Sequence, residues 1–338
     1  MSKMISKRVD EKAKQLAIVL DRLGASRTLR TAVEAARFDA RFRSDAAANY
    51  FLATELESVK ARVFEDKYRP LKAAEFIPVS TEADPGAETI VWREEEMHGL
   101  AKVISDYASD LPTADVGARK NTREILSLGS SFRYSVKDML AAAFTGRSLR
   151  DAQAKSARRA IERKMDEIAA IGHTPSGITG FVNNASVGTS SLPNGDWTNA
   201  TGDEMLEDLN AMTGEVFTES GEVEQPDTLI LPIAEYAIAA QQRLGDTQTT
   251  VLKHFIDTNP WVKDVQPWWR LDTAGAASVA RAVVYRKDPD AVSLEIPMLF
   301  EMFDTQIQGL AFLTPCLAMT GGCIVHRPLS MQYADFDA

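Results

Sequence analysis

Apolar positions recur at helical spacing in the first fifth of the chain. Between residues 9 and 23 they fall every three or four positions with charges between them, and Gly24 follows where a helix would stop. A second stretch with this spacing covers residues 45–63, before Pro70 interrupts it. The pattern predicts a mostly helical N-terminal arm over residues 1–70.

The pattern then changes from helix to strand. Turn-forming residues cluster between 78 and 86, and strand-like runs follow at 89–92 and 103–107. A polar stretch at 115–123 separates them from a further strand-like run at 125–134. Ser135 and Asp138 have the spacing of a capping box, which predicts a helix from residue 136. A longer helix through residue 171 carries a thin apolar stripe and opposite charges four residues apart, so it should be largely exposed.

The second half of the chain alternates between short helices and strands. Residues 177–199 indicate a long loop, and the helices are predicted at 205–212, after Pro232 and at 249–256. Strands are predicted at 228–231, 262–269, 278–286 and 292–296. The uncharged stretch 305–325 predicts two buried strands that end the sheet before residues 333–338. The fold class is therefore α+β.

Charge is divided unevenly along the 338 residues. The chain has 38 Lys and Arg against 48 Asp and Glu, a formal charge of -10. Residues 1–45 hold eleven basic and six acidic side chains, a net +5, which leaves -15 for the rest. An acidic body argues against a reader of nucleic acid.

Signals for export, membrane insertion and catalysis are missing from the sequence. The start has no apolar signal core, two cysteines favour a reducing compartment, and residues 305–325 are too polar to span a membrane. No P-loop, G-x-G-x-x-G, G-x-S-x-G or H-E-x-x-H occurs. Cys316, Cys323 and His326 lack the paired spacing of zinc ligands, and His173 has no evident orienting acid. We therefore predict no catalytic, cofactor or metal residue, with the cysteines buried and His326 at the surface.

Two clusters favour contacts rather than chemistry. Glu94, Glu95 and Glu96 alternate between the faces of a strand, so they cannot converge on one site. They could instead meet three basic residues across the loop or on a neighbouring copy, namely Arg119, Lys120 and Arg123. We predict these six residues as intersubunit contacts. The three tryptophans at 261, 268 and 269 are predicted to pack in a core or an interface.

Nine segments resemble one known protein family. They are ANYFL (48–52), ELE (55–57), VFEDKY (63–68), ADPGAETI (83–90), ASDLP (108–112), GSSFRYS (129–135), the helical run 152–171, GFVNN (180–184) and GGCIVHRP (321–328). Together they resemble the major capsid proteins of tailed bacteriophages with the HK97-like fold, in a short branch related to encapsulin shells.

The resemblance implies a domain plan. It comprises an N-terminal helical arm (1–70), a lead-in to the P-domain (71–83), an extended E-loop (84–123), a P-domain with a long spine helix (124–200), an A-domain (201–290), and return strands to the P-domain with a C-terminal tail (291–338). The long polar hairpin and the exposed spine helix would then be surfaces that neighbouring copies complete.

The resemblance also implies a function. The chain would assemble into hexamers and pentamers of an icosahedral shell around double-stranded DNA, in the virion, after assembly in the host bacterial cytoplasm. A scaffold, a portal, possible decoration proteins and non-specifically bound DNA would be its partners, with no membrane and no enzymatic role. The basic segment 1–45 could face the scaffold or the packaged DNA, or it could be a plain solvated helix. The alternative is an encapsulin-type compartment that encloses a cargo enzyme.

Overall fold

The computed structural model describes residues 67–103, 113–145, 149–245 and 247–336. The helices are α1 (Ala73–Phe76), α2 (Val136–Thr145), α3 (Leu149–Ile171), α4 (Gly202–Glu219), α5 (Ile233–Gln241) and α6 (Val251–Thr258). The strands are β1 (Val79–Ser80), β2 (Thr89–His98), β3 (Asp115–Glu124), β4 (Leu126–Ser135), β5 (Gly172–His173), β6 (Ile178–Thr179), β7 (Gly188–Ser191), β8 (Thr228–Leu231), β9 (Asp264–Pro267), β10 (Arg281–Tyr285), β11 (Val292–Glu295), β12 (Met298–Met302), β13 (Gln306–Gln308), β14 (Ala311–Thr320), β15 (Gly322–Val325) and β16 (Met331–Asp335). The mixture confirms the α+β class. The predicted arm helices and most of the predicted strand at 103–107 lie outside the described residues.

A five-stranded sheet in the order β7-β16-β10-β8-β9 carries much of the core. Helix α4 packs on it through a buried stripe that includes Met205, Leu209 and Met212. The prediction that the sheet ends before residue 333 is wrong, because β16 lies inside this sheet between β7 and β10. Tyr333 is 1% exposed, and its hydroxyl donates to the carbonyl of Phe181 at 2.6 Å. The polar residues next to Tyr333 interrupt the hydrophobic pattern, so the sequence did not predict a buried strand here.

A second sheet supports the long helix α3. Strand β14 pairs over its full length with β4, and its other edge pairs with β12 and β13. Alternate side chains of β4 and β14, among them Phe132, Cys316 and Ala318, face α3 and bury its stripe of Ala157 and Ile161. The predicted apolar stripe is confirmed, but only the first half of α3 is largely exposed, because residues 166 and 168–170 near its end are buried.

Small sheets connect these two layers. The order β1-β11-β15 places Cys323 and Leu294 in the main core. Asp166 of α3 joins the layers, because its carboxylate accepts hydrogen bonds from the backbone N–H of Ala73 at 2.9 Å and from Arg270 at 2.7 Å. Helix α3 is therefore tied to both neighbouring parts of the fold.

Local sequence signals account for the helix starts and stops. The side chain of Asp138 accepts from the N–H of Ser135 at 3.0 Å while the Ser135 hydroxyl accepts from the N–H of Asp138 at 3.1 Å, which confirms the predicted capping box. Gly172 ends α3 with a φ of +89°, a conformation that glycine adopts without penalty. The polar stretch 115–123, to which the sequence pattern assigned no element, lies in strand β3.

Candidate intersubunit surface

The most exposed regular structure is a hairpin formed by β2 and β3. The two strands pair antiparallel over ten residues each, from Thr89 opposite Glu124 to His98 opposite Asp115. Near its root Ile90 and Trp92 are half-buried, whereas every residue of β2 beyond Trp92 is exposed. A two-stranded ribbon without a covered face is marginal in water on its own. The outer hairpin therefore needs a further surface to pack against.

The register separates the predicted contact residues. Glu94 lies opposite Arg119, but Glu95 lies opposite Ala118 and Glu96 opposite Gly117. Lys120 lies opposite Arg93, another cation. Among the described residues no ion pair joins the three glutamates to Arg119, Lys120 or Arg123.

The glutamates find other partners within the hairpin. Oε1 of Glu94 accepts from Nδ2 of Asn121 at 2.5 Å and from Nε1 of Trp92 at 3.1 Å. Glu96 lies 3.4 Å from Nε2 of His98. The acidic charge of β2 is thus not neutralised by the basic residues of β3, and a neighbouring copy stays the predicted partner.

Arg123 differs from the other two basic residues. It is partly buried at the hairpin root, and its Nε lacks a hydrogen-bond partner within the described structure. Burial lowers the pKa of Arg123, and the nearby Cys323 partly opposes that effect. Arg119 and Lys120 are exposed on the outer part of β3. Of the three basic residues predicted as contacts, Arg119 and Lys120 therefore point outward and Arg123 points toward the core of its own subunit.

A cleft of about 910 Å³ separates the hairpin root from the sheet of β11 and β15. The ring of Trp92 meets His326 edge-on, with 5.6 Å between centroids. His326 is half-buried rather than at the surface, so that prediction is wrong, and burial lowers the pKa of its imidazole against the opposing influence of Glu295, Glu94 and Asp290. This contact holds the root while the outer strands stay uncovered.

The cleft also brings a serine, a histidine and a carboxylate together, but not in catalytic order. The Ser293 hydroxyl donates to Oε1 of Glu295 at 2.7 Å and lies 2.9 Å from Nε2 of His326. A nucleophilic triad requires the acid to orient the imidazole, whereas here it binds the hydroxyl. The group holds β11 to the chain after β15.

The other chemical candidates from the sequence lie apart. Cys316 and Cys323 are both buried, as predicted, and they lie in different sheets. The Nδ1 atom of His173 lies 3.0 Å from the Ser176 hydroxyl. Within the described ranges, no three His, Cys, Asp or Glu side chains form a metal-binding group. Nor is any helix of the described chain long and apolar enough to cross a membrane. Trp268 is buried and Trp261 stacks on Phe217, which confirms their packing role.

Exposed apolar side chains were missed by the sequence analysis. Met97 and Val116 face each other near the hairpin tip and are 84% and 55% exposed. Phe144 of α2 is 91% exposed, and Leu310, in the turn between β13 and β14, is 81% exposed. For Met97 and Val116 the available signal was a single apolar residue in a polar run, and only the structure shows that no core of the described residues covers the four side chains. Met97 and Val116 form a small apolar pair on the hairpin, whereas single exposed apolar side chains such as Phe144 and Leu310 are common on protein surfaces.

Comparisons with known proteins agree on one class. The profile of the family described as "Major capsid protein" matches residues 99–336. The structure is similar to the capsid of Myoviridae phage XM1, with a TM-score of 0.76 and 16% identity, over 86% of this chain and 100% of that chain. It is also similar to the capsid of a native GTA particle, with a TM-score of 0.59 and 11% identity, over 88% of this chain and 100% of that one.

A third similar structure is a virus-like particle from Pyrococcus furiosus, with a TM-score of 0.50 and 12% identity, over 77% of this chain and 91% of that one. None of the curated protein sequences compared with this chain matches it. The structural matches share the HK97-like fold that the sequence predicted. At these low sequence identities, the structural matches establish only the fold.

Proposed function

The chain belongs to the major capsid protein family, and from that premise we propose that its copies close into the icosahedral shell of a tailed bacteriophage. Hexamers and pentamers of the chain would enclose double-stranded DNA, bound without sequence specificity. The role of the family is structural, in line with the expectation that this protein is not an enzyme. The proposed location is the virion, after assembly in the cytoplasm of the bacterial host.

The hairpin of β2 and β3 is the observation that carries this proposal. Its outer part exposes Glu95, Glu96, Lys120 and Met97 to solvent although the strands are fully paired. A monomer gains nothing from ordering such a ribbon, whereas a shell can cover it with a neighbouring copy. The same copy that receives one hairpin offers its own to the next, so the contact propagates around a closed ring.

Charge is proposed to guide the contact between copies. Glu94, Glu95 and Glu96 on β2 and Arg119, Lys120 and Arg123 on β3 are the proposed intersubunit residues. One exposed pair contributes about 0–1 kcal/mol. Repetition at every subunit makes the sum large enough to affect whether a shell closes. Arg123, at the root, would contribute less than Arg119 or Lys120 because its guanidinium is turned toward its own subunit.

The test is a charge reversal on the full-length chain. Glu95→Lys combined with Glu96→Lys should reduce particle yield, as measured by sedimentation and negative-stain electron microscopy. Glu124→Lys is the matched control, because Glu124 is also exposed in the hairpin but lies at its root. An unchanged particle yield in the double variant would refute the proposed role of charge. A wild-type chain that stays a small globular species would refute the proposed assembly into a shell.

An encapsulin-type compartment is the second candidate function, favoured by the similarity to the virus-like particle. The contents of particles isolated from the native source separate the two. Nuclease-protected double-stranded DNA, with portal and scaffold or decoration proteins encoded nearby, supports the phage shell. An enclosed enzyme without a genome supports the compartment.

A further inference from the structure

His326 lies between the hairpin root and the sheet of β11 and β15. On the hairpin side its ring meets Trp92, with 5.6 Å between the ring centroids and 86° between the planes. On the other side its Nε2 lies 2.9 Å from the Ser293 hydroxyl of β11, and its backbone N–H donates to the carbonyl of Ala291 at 2.8 Å. The imidazole therefore contacts both walls of the cleft, and a change in its charge acts on both.

The hydrogen bonds of Ser293 fix which nitrogen of the neutral imidazole carries the hydrogen. Ser293 donates its one hydroxyl hydrogen to Oε1 of Glu295 at 2.7 Å, because an ionised carboxylate can only accept. The Ser293 oxygen must then accept from Nε2 of His326, so Nε2 carries the hydrogen and Nδ1 does not. In acid the second proton is added to Nδ1, which has no hydrogen-bond partner among the described residues.

Carboxylates face the imidazole from three parts of the chain. Glu94 belongs to β2, Glu295 to β11, and Asp290 to the turn before β11. These carboxylates favour a positive charge, but burial outweighs them and lowers the pKa of His326 below its ordinary value of 6.5. The other charged residues that line the cleft are Glu82, Asp84, Arg93, Glu95 and Arg327. The protonated ring is therefore less stable in this cleft than in water.

We propose that the contact of His326 with Trp92 and Ser293 is a pH-sensitive switch, which holds the hairpin root in place at neutral pH and releases it in mild acid. The proton added to Nδ1 finds no acceptor in the closed cleft, whereas water accepts from it once the root has moved away from β11. This inference goes beyond the proposed function, because it concerns the single subunit and stands whether or not copies form a shell.

The direction of the pH dependence follows from the lowered pKa of the packed imidazole. The released ring has the ordinary pKa of 6.5, so it binds a proton more readily than the packed ring does. The packing of the root is therefore most stable above pH 6.5 and weakens as the pH falls through the lower pKa of the packed ring. At about pH 5.5, one unit below the ordinary pKa, the equilibrium constant for release can rise by up to about tenfold, while carboxylates with a pKa of about 4 stay ionised.

Hydrogen exchange of the full-length protein measures this release. A two-stranded ribbon without further packing is marginal, so release should speed the exchange of the β2 and β3 amides next to Trp92. After correction for the exchange rate of unprotected amides, protection in the wild type should fall severalfold, and by no more than about tenfold, between pH 7.5 and pH 5.5. Equal protection at the two pH values would overturn the proposal.

Two variants assign the effect to this histidine. His326→Gln keeps a donor for Ser293 but gains no proton, so its protection should not change with pH in this range. His98→Gln is the matched control, because His98 lies in the same hairpin with a side chain that is 62% exposed, and it should respond as the wild type does. If His326→Gln loses as much protection as the wild type, the proposal is wrong. An effect of acid on assembly that does not involve His326 would appear equally in all three proteins.

The fluorescence of Trp92 gives a measurement that does not depend on His326→Gln. It is obtained as the difference between the wild-type protein and Trp92→Phe. It should change with a midpoint below pH 6.5, because the charge of the ring that contacts the indole changes at the pKa of the packed imidazole. A midpoint at or above pH 6.5, or no change between pH 7.5 and pH 5, would overturn the proposal.

Discussion

Removing one partner of the buried pair Asp166–Arg270 should destabilise the subunit far more than removing one partner of a surface pair on the same helix. Both nitrogens Nε and Nη2 of Arg270 donate to Oδ2 of Asp166, at 2.9 and 2.7 Å, and the two side chains are only 7% and 4% exposed. Asp166→Ala leaves a buried guanidinium without a counter-charge and also removes the acceptor for the N–H of Ala73. Breaking one partner of such a pair costs about 3–5 kcal/mol.

That cost corresponds to a fall in unfolding temperature of roughly 6–15 °C, at about 2–3 °C per kcal/mol for a chain of this size. Calorimetry of the free full-length subunit measures it. Glu162→Ala is the control, because Glu162 also accepts from an arginine of α3, Arg158, at 2.7 Å, but their side chains are 42% and 64% exposed. The control should lose about 0.5 kcal/mol or less. Equal losses in the two variants would refute the reasoning.

Two further predictions concern backbone geometry and thiol chemistry. Gly172→Ala should destabilise the subunit by about 2 kcal/mol or more, because φ is +89° and an added Cβ would collide with the carbonyl of Ile178. The control Gly214→Ala, in open space on α4, should be neutral or stabilising. Denaturant unfolding measures both variants, and an unchanged stability of Gly172→Ala would contradict the predicted clash. Burial raises the pKa of Cys323 to about 12 and also raises the pKa of Cys316. Iodoacetamide at pH 8 should therefore modify neither thiol in the native subunit and both thiols in urea. Rapid labelling of Cys323 in the native subunit would show that this thiol is not buried.

Local signals in the sequence were sufficient for much of the fold. The capping spacing of Ser135 and Asp138 and the glycine after Ile171 marked the ends of α2 and α3, because both act within a single turn of backbone. The apolar run at 228–231 marked a strand that is buried on both faces. Strand β16 was not predicted, because it pairs with β10, 46–54 positions earlier in the chain, and with β7, 144 positions earlier, and no local pattern encodes such pairing.

The contact surface was predictable only in part. The sequence indicated that Glu94, Glu95 and Glu96 lie on a strand and stay exposed, and the hairpin has both features. It could not indicate that Arg123 turns inward while Arg119 and Lys120 face outward, because that depends on the packing of the hairpin root against β15.

Strand β3 shows why a shell protein is harder to read than an enzyme. Its sequence, DVGARKNTRE, has no alternation of apolar and polar residues, which is the usual mark of a half-buried strand. Alternation arises when one face of a strand meets the core of its own chain, and neither face of β3 does so beyond the root. If the surface that covers the hairpin lies on a neighbouring copy, the residues that stabilise β3 as a strand are far from it in the sequence. They leave no apolar and polar alternation within β3 itself. In such a protein, a polar stretch between turn-forming residues is therefore as consistent with an intersubunit strand as with a loop. The number of residues that pair with a neighbouring strand distinguishes the two, whereas hydrophobicity does not.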